Sequence, residues 1–288
     1  MKTILVPTDF SPAANAATKF AINFAKQFDS TLLLLHVMEA VDEGSFNIEG
    51  EATASSSWED KLFNMKMIEK AKNDLAGALA TVSQSGVKVK THLRIGNAYH
   101  GIQSIISEEK ADVVIIGTEG DSGNANVLIG TTTEKVVRRS TCPVITVNRG
   151  TTIETIKTIV WATSLRAEDL DIPPLLRELV NKAGIAVHIV RVNTPGLFMT
   201  DVTAKERLTS VAEFLKFKNF TTNIFNDNEE AAGILHFAAS VKADLIALST
   251  HGRQGLAHLL NASIAEDVIN HTKRPVMTYV LGKQEVRK

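Results

Sequence analysis

The sequence of 288 residues contains only one cysteine, Cys142. A single thiol excludes an intramolecular disulfide framework and a cysteine-based zinc cluster, and it is typical of a reducing compartment. We therefore expect a cytoplasmic protein. Because Cys142 directly precedes Pro143 at a predicted buried strand, we expect an inert thiol and not a nucleophile.

Long hydrophobic runs are also missing. The longest apolar stretches, such as residues 32–35 and 113–116, have the length of a strand, whereas a helix that spans a bilayer needs about 20 residues. Residues 1–9 contain only three consecutive apolar residues before Pro7, too few for the central region of a signal peptide. The sequence thus predicts neither a membrane segment nor a targeting segment.

An excess of either charge is absent, since 31 basic residues face 32 acidic ones and the formal net charge is −1. No basic balance exists to bind a polyphosphate backbone, so nucleic acid is not an expected partner. Hydrophobic residues make up 44% and charged residues 22% of the chain. That composition excludes a disordered chain and is typical of a folded globular protein.

The sequence does contain an internal repeat. Lys110-Ala111-Asp112 recurs as Lys242-Ala243-Asp244, at an offset of 132 residues. At this offset, residues 101–148 and 233–280 are identical at 15 of 48 positions without a gap. Such self-similarity indicates a duplicated structural unit.

The front ends of the two copies align at a different offset, because residues 3–6 match 158–161 at 155. The second copy therefore lacks 23 residues between its second strand and its third helix. The first copy carries a polar stretch there, at 42–57, which is either a mobile flap over a ligand pocket or a plain loop. We place the domain boundary near Arg149 to Thr152, which predicts domains 1–150 and 151–288.

Hydrophobic periodicity predicts alternating strands and helices in each copy. Short, continuously apolar runs at 3–8, 31–37, 113–117 and 143–147 suit strands buried on both faces of a parallel sheet. Residues 13–28 have the spacing of an amphipathic helix. A second stripe predicts a helix whose apolar face contacts the core; it comprises Trp58, Leu62, Met65, Ile68, Leu75, Leu79 and Val82. The order β-α-β-α-β-α-β-α-β predicts an α/β fold of two tandem doubly wound, five-stranded parallel sheets.

Ligands of such sheets bind at the carboxyl ends of strands, where the strand order reverses. The loop after the first strand, 7–12, contains Asp9, which can accept hydrogen bonds from sugar hydroxyls or from an adenine. Alternatively, Asp9 or Ser11 only caps the helix that follows.

The loop from Gly117 to Glu134 is rich in glycine and threonine. Glycine lets a backbone approach a ligand closely, and Gly130 opens a helix whose free amides favour phosphate. A second interpretation makes Thr131 the N-cap of that helix, with Glu134 as its capping-box partner. The loop has neither the Gly-Lys-Ser/Thr of a P-loop nor the dinucleotide-binding fingerprint.

These segments together resemble the universal stress protein family. The resemblance rests on residues 4–11, on Leu35-His36-Val37, on the spacing Gly117-x2-Gly120-x9-Gly130-Thr131 and on Cys142-Pro143-Val144, and it extends over both halves. It implies a Rossmann-like fold of the adenine nucleotide alpha hydrolase type. It also implies ATP, AMP or ADP as the ligand, with or without Mg²⁺.

The resemblance also implies which residues hold the nucleotide. Pro7, Thr8 and Asp9 would line the adenosine end, with Val37 and Ile116 against the base. The remaining residues would hold the ribose and the phosphates: Gly117, Thr118, Gly120, Gly130, Thr131 and Thr132.

The second copy departs from this pattern. Ser164 stands where Asp9 stands, and Ser249 and Ala262 replace the glycines at 117 and 130. We expect the second domain to bind no nucleotide, or to bind something else. The spacing of His251, His258 and His271 matches no common set of metal ligands, so no metal site is predicted.

The function expected from these features is a nucleotide-binding protein of stress response or signalling, with a protein partner that the residues do not identify. Because the loop has no lysine and no pair of Mg²⁺ ligands, we favour a binding protein over an enzyme. A slow ATPase, a nucleotidyl-transferring enzyme and an interaction module without nucleotide stay open. We expect the two domains to pair through their last strands, 143–147 and 275–280, as an internal pseudo-dimer. A homodimer of the whole chain also stays open.

Overall fold

A computed structural model of the chain describes residues 2–38, 58–118, 129–151, 154–165, 172–182, 184–250 and 257–280. The polar stretch 42–57, Gly120 and His251 lie outside the described residues. Within the described part, no helix is both long and apolar enough to cross a bilayer.

Each half alternates strands and helices in the predicted order. The first half comprises β1 (Thr3–Pro7), α1 (Pro12–Phe28), β2 (Thr31–Met38), α2 (Trp58–Gln84), β3 (Val89–Ile95), α3 (Ala98–Glu108), β4 (Val113–Thr118), α4 (Thr131–Arg139) and β5 (Val144–Asn148). The second half comprises β6 (Thr158–Ala162), α5 (Pro174–Asn181), β7 (Ala186–Asn193), α6 (Asp201–Phe214), β8 (Phe220–Asn226), α7 (Glu230–Ser240), β9 (Leu245–Thr250), α8 (Ala257–Asn270) and β10 (Val276–Val280). The predicted fold class is confirmed, whereas the boundary between 150 and 151 stays a prediction.

Every strand within the described residues belongs to one ten-stranded sheet in the order β3-β2-β1-β4-β5-β10-β9-β6-β7-β8. Neighbouring strands are parallel within each half, and β5 pairs with β10 in the antiparallel direction. Ile145 pairs with Met277, its own equivalent in the repeat. A pseudo-twofold axis therefore passes between these two residues, and the predicted pairing of the last strands is confirmed.

Two buried threonines beside this axis form equivalent hydrogen bonds, one from each half. The Thr146 hydroxyl donates to the carbonyl of Val276 at 3.3 Å, and the Thr278 hydroxyl donates to that of Val144 at 3.4 Å. Only 2% and 0% of these threonines is exposed. Because a buried hydroxyl without a partner is costly, the reciprocal bonds let both polar groups lie inside the joined sheet.

Contacts beyond the sheet also link the halves. The Gln27 side chain donates to the carbonyl of Ile156 at 2.8 Å and accepts from its amide at 3.0 Å. On the other face of the sheet, Arg138 of α4 donates through Nε to Glu266 of α8 at 2.6 Å. This acceptor raises the pKa of Arg138.

The repeated Lys-Ala-Asp tripeptide has a structural role. The Asp112 carboxylate accepts from the amides of Lys2 and Thr3 at 2.7 and 3.0 Å. Asp244 accepts from residues 157 and 158 in the same way, at 2.8 and 2.9 Å. The preceding lysines, at 110 and 242, are both in the left-handed region, with φ of 51° and 52°. The tripeptide therefore turns the chain after a helix and anchors the start of the first strand of each half.

Helix α2 accounts for much of the length difference between the halves. It has 27 residues, whereas α6 has 14, so the missing residues of the second half do not all come from the polar stretch 42–57. A helix of this length extends about 40 Å, which exceeds the roughly 26 Å of an eight-residue strand.

The predicted apolar stripe of α2 is only partly buried. Leu75 and Val82 are 6% and 0% exposed, as expected for a face that contacts the core. Leu62 and Met65 are 43% and 66% exposed, so the prediction is wrong at the N-terminal end of the helix. The sheet does not extend far enough to cover that end. The side chain of Trp58 lies outside the described residues.

Replacement of Asp112 by alanine tests the anchor. Asp112→Ala should lower the free energy of unfolding by about 1–2 kcal/mol, because two backbone amides lose a charged acceptor. Urea denaturation measures the change. Asp74→Ala is the control, since Asp74 forms only an exposed ion pair with Lys70 at 3.8 Å and should change stability by less than about 0.5 kcal/mol. Equal effects of the two substitutions would contradict the anchoring role.

Candidate functional site

A cavity of about 330 Å³ lies at the carboxyl ends of β1 and β4, where the strand order of the first half reverses. Its size suits a small molecule. Seven of the eleven predicted residues line it: Pro7, Thr8, Asp9, Val37, Ile116, Gly117 and Thr132. Six further residues also line it: Ser11, Ala14, Leu35, Ala98, Ile102 and Thr133.

The turn after β1 is shaped by a threonine. The Thr8 hydroxyl accepts from the amide of Phe10 at 3.0 Å, and Phe10 has a positive φ of 63°. Thr163 and Leu165 form the same turn in the second half, with 3.0 Å and 61°. Because that turn forms with Ser164 at the central position, its shape does not depend on Asp9.

Asp9 and Ser11 divide the roles that the sequence left open. Ser11 is the N-cap of α1, and its hydroxyl accepts from the amide of Ala14 at 3.2 Å. One carboxylate oxygen of Asp9 accepts from the amide of Ser11 at 2.9 Å. Asp9 thus supports the turn with one oxygen while its exposed side chain lines the cavity.

His36 holds this turn against β2. Its Nδ1 lies 2.7 Å from the carbonyl oxygen of Thr8, which can only accept, so Nδ1 carries the proton. The ring also lies 4.7 Å from the ring of Phe10. The histidine of the Leu-His-Val segment therefore positions the loop, and it does not line the cavity.

The cavity has an apolar wall formed by Leu35, Val37, Ile102 and Ile116. Helix α3 approaches this wall closely, because a Cβ on Gly101 would lie 2.8 Å from a methyl carbon of Val37. The sequence reasoning missed Ala98 and Ile102. The signal for Ile102 was the recurrence of Gly101-Ile102 as Gly233-Ile234, which marks the same helix in both copies, whereas Ala98 is not repeated and had no such signal.

Gly117 is required by the protein itself. A Cβ at this position would lie 2.4 Å from the carbonyl oxygen of Ala13 and 2.8 Å from the amide nitrogen of Ala14. The absence of a side chain lets the first turn of α1 pack against the end of β4. This requirement holds whether or not a ligand is bound.

Gly130 has no such requirement. It is the N-cap of α4, its φ is −56°, and a Cβ there would meet nothing within 4 Å. The prediction that Thr131 is the N-cap is wrong, because Thr131 is the first helical residue. Glu134 is not a capping partner, since its carboxylate lies 3.3 Å from Arg138.

The start of α4 lies beside the cavity. Thr132 and Thr133 line it, and the Thr133 hydroxyl lies 3.5 Å from the carbonyl oxygen of Gly117. Gly130 and Thr131 are exposed at the same helix end. The first amides of a helix have no partner within the helix and favour an anion. Thr118 is buried and its carbonyl accepts from the amide of Arg149 at 3.3 Å, so it is not part of the cavity lining.

The equivalent cavity of the second half measures only about 50 Å³. Glu230, Ile264 and Ser249 line it at the positions of Ala98, Thr132 and Gly117. Each replacement is larger than its counterpart. Helix α8 also begins at Ala257, six residues before the position equivalent to Thr131, so its amides start about 9 Å away along the helix.

Metal ligands are not clustered in the described ranges, where no group of three or more histidine, cysteine or acidic side chains could hold an ion. Cys142 is half-buried, and its sulfur lies 3.6 Å from the hydroxyl oxygen of Ser140.

Comparison with known proteins places these features in a family. The model of the universal stress protein family matches residues 1–148 and 219–279. Universal stress protein MJ0531 of Methanocaldococcus jannaschii is 30% identical over 148 residues, which is 51% of this chain and 82% of that protein. Universal stress protein Slr1230 of Synechocystis is 25% identical over 97% of this chain and 100% of its own length.

A solved structure shows the same fold over nearly the whole chain. The crystal structure of a universal stress protein from Archaeoglobus fulgidus has a TM-score of 0.74 and 19% identity. It covers 97% of this chain, and the match spans 98% of the other.

Substitutions of Gly117 and Gly130 should have different effects on stability. Gly117→Ala should lower the free energy of unfolding by about 1–3 kcal/mol, because the new Cβ overlaps the backbone of α1. Gly130→Ser should change it by less than about 0.5 kcal/mol, since a Cβ there meets nothing and serine is a good N-cap. Urea denaturation of both variants checks this, and equal destabilisation would refute the distinction.

Proposed function

The chain belongs to the universal stress protein family, and we propose that its first half binds ATP or another adenine nucleotide. In this proposal the protein acts in stress response or signalling in the cytoplasm. The observation that carries the proposal is the cavity of about 330 Å³, which joins an apolar wall to the start of a helix. A planar base requires an apolar surface such as this wall, and a phosphate chain requires hydrogen-bond donors such as the amides at the start of a helix.

The apolar wall suits the base. Val37 comes from β2 and Ile116 from β4, the two strands on either side of β1, and Ile102 closes the slot from α3. A purine ring between such side chains removes apolar surface from water, which stabilises the complex. The exposed carboxylate of Asp9 faces the same cavity, where it can accept hydrogen bonds from the ribose hydroxyls or from the exocyclic amine.

The start of α4 suits the phosphates. The amides of the first turn and the helix dipole favour negative charge, and the Thr132 hydroxyl adds a donor. The protein itself does not require a glycine at 130, because a side chain there would meet nothing. A phosphate chain that crosses this position provides a reason for the missing side chain.

Binding without fast turnover agrees with the described lining of the cavity. Among the lining residues that the structure describes, Asp9 is the only one with a charged side chain, and none is lysine or arginine. Phosphoryl transfer ordinarily needs cations and metal ligands that neutralise charge on the transferred group. Slow hydrolysis and nucleotidyl transfer are the enzymatic alternatives, and a turnover assay with purified protein separates them from binding alone.

Calorimetry tests the site. ATP should bind with one equivalent per chain, and Gly130→Val should abolish binding because the side chain occupies the phosphate position. Ala262→Val is the matched control, since Ala262 stands where Gly130 stands in the repeat and the second cavity is small. Titrations with and without Mg²⁺ show whether the ion belongs to the ligand.

Two results would contradict the assignment. Two equal sites per chain would show that the second half binds nucleotide as well. Unchanged affinity in Gly130→Val would show that the phosphates do not lie at the start of α4. Urea denaturation of the same variants distinguishes lost binding from lost folding.

A further inference from the structure

A second cleft lies at the carboxyl ends of β7 and β8. It is separate from the small cavity of the second half that is equivalent to the first-half cavity. The volume of the second cleft is about 500 Å³. One wall is the loop between β7 and α6, with Thr194, Pro195 and Phe198, and the other is the chain after Phe225. We name it the Phe198 cleft.

The first wall is held by two buried polar side chains. Asn193, which is 2% exposed, donates to the carbonyl of Met199 at 2.9 Å and accepts from its amide at 3.2 Å. Arg191, which is 7% exposed, donates to the carbonyls of Leu197 at 3.0 Å and Ser164 at 2.6 Å. The loop is therefore fixed around residue 198.

This fixed loop presents an aromatic ring to solvent. Phe198 is 70% exposed, although an aromatic side chain gains free energy from burial. A loop that is free to rearrange would turn this ring inward, but the bonds from Asn193 and Arg191 oppose that. A preorganised ring of this kind is suited to stack against a flat ligand.

The second wall supplies the polar side chains of Asn226, Asp227 and Asn228. The amide of Asp227 donates to the carbonyl of Asn193 at 3.0 Å, which joins the two walls. The Asp227 carboxylate accepts from His236 at 2.7 Å and from the amide of Asn228 at 2.7 Å, and the histidine lowers the pKa of Asp227. The exposed side chains of Asn226 and Asn228 line the cleft, and each can donate and accept.

We propose that the Phe198 cleft is a second ligand site, which takes an uncharged planar heterocycle of the nucleoside type. The ring of the ligand stacks on Phe198, and its edge bonds to the amides of Asn226 and Asn228. Among the described residues, the lining contains no lysine or arginine, and Glu229 and Glu230 follow it in the chain, so an anionic ligand is disfavoured.

The two side chains that hold this loop have different counterparts in the first half. His36 and Met38 stand at the positions equivalent to Arg191 and Asn193, and neither can form the same set of loop bonds. The described lining of the cleft also shares no residue with the second-half equivalent of the first-half cavity.

Nuclear magnetic resonance of the ¹⁵N-labelled full chain tests the proposal, with adenosine as the probe. Adenosine should shift the side-chain amide signals of Asn226 and Asn228 and the backbone amides of 194–200. Signals from Thr8 and Asp9 report separately on the first-half cavity, so the two sites are distinguished in one titration. Phe198→Ala should weaken the affinity for adenosine, as read from the shifts of Asn226 and Asn228, at least fivefold. The reason is that the base loses its stacking contact with the aromatic ring.

Phe214→Ala is the matched control, because Phe214 is 68% exposed at the end of α6, the helix that follows the Phe198 loop, and is not among the residues that line the cleft. It should leave the titration unchanged. Glucose, which is uncharged but not planar, should not shift these signals. The proposal is overturned if adenosine does not shift the signals of Asn226 and Asn228, or if Phe198→Ala binds adenosine as tightly as the parent does. It is also overturned if glucose shifts the same signals.

Discussion

The antiparallel pairing of β5 with β10 is the constraint on which the rest of the molecule depends. A parallel five-stranded sheet ends in an open apolar edge, which tends to pair with other chains. Here each edge closes the other, and the axis between Ile145 and Met277 sets the direction of both halves. Because the strands of the two halves run in opposite directions, the cavity of the first half and the Phe198 cleft lie at opposite margins of one sheet.

The duplicated halves keep the backbone around the cavity and change the side chains that line it. Thr8 and Thr163 hold the same left-handed turn, and Gly101 and Gly233 let the same helix approach the same strand. The residues that differ are those on the cavity wall, where Glu230 and Ile264 stand in place of smaller side chains. Framework and ligand chemistry are thus encoded at separate positions.

Sequence reasoning predicted the features that depend on local pattern and on repetition. The order of elements, the pairing of the last strands and the switch-point cavity follow from hydrophobic runs and from the alignment of the two copies.

The sequence-based prediction was wrong where the outcome depends on what a segment packs against in the folded chain. The stripe of α2 correctly gave one apolar face, but its spacing does not tell how far the sheet extends beneath Leu62 and Met65. The N-cap of α4 was misplaced by one residue, because glycine and threonine are both acceptable there. The contribution of Ala98 and Ile102 depends on how α3 packs against β2, which is set only in the folded chain.

Joining two copies into one chain also frees each half from the symmetry that a pair of identical subunits would impose. In a homodimer every substitution appears twice, so a contact across the axis is made twice or not at all. The bond between Arg138 and Glu266 has no such counterpart, since the position equivalent to Arg138 is Asn270. A covalently fused pair can therefore acquire one-sided contacts and assign different ligands to its two ends, while the shared seam keeps both ends folded.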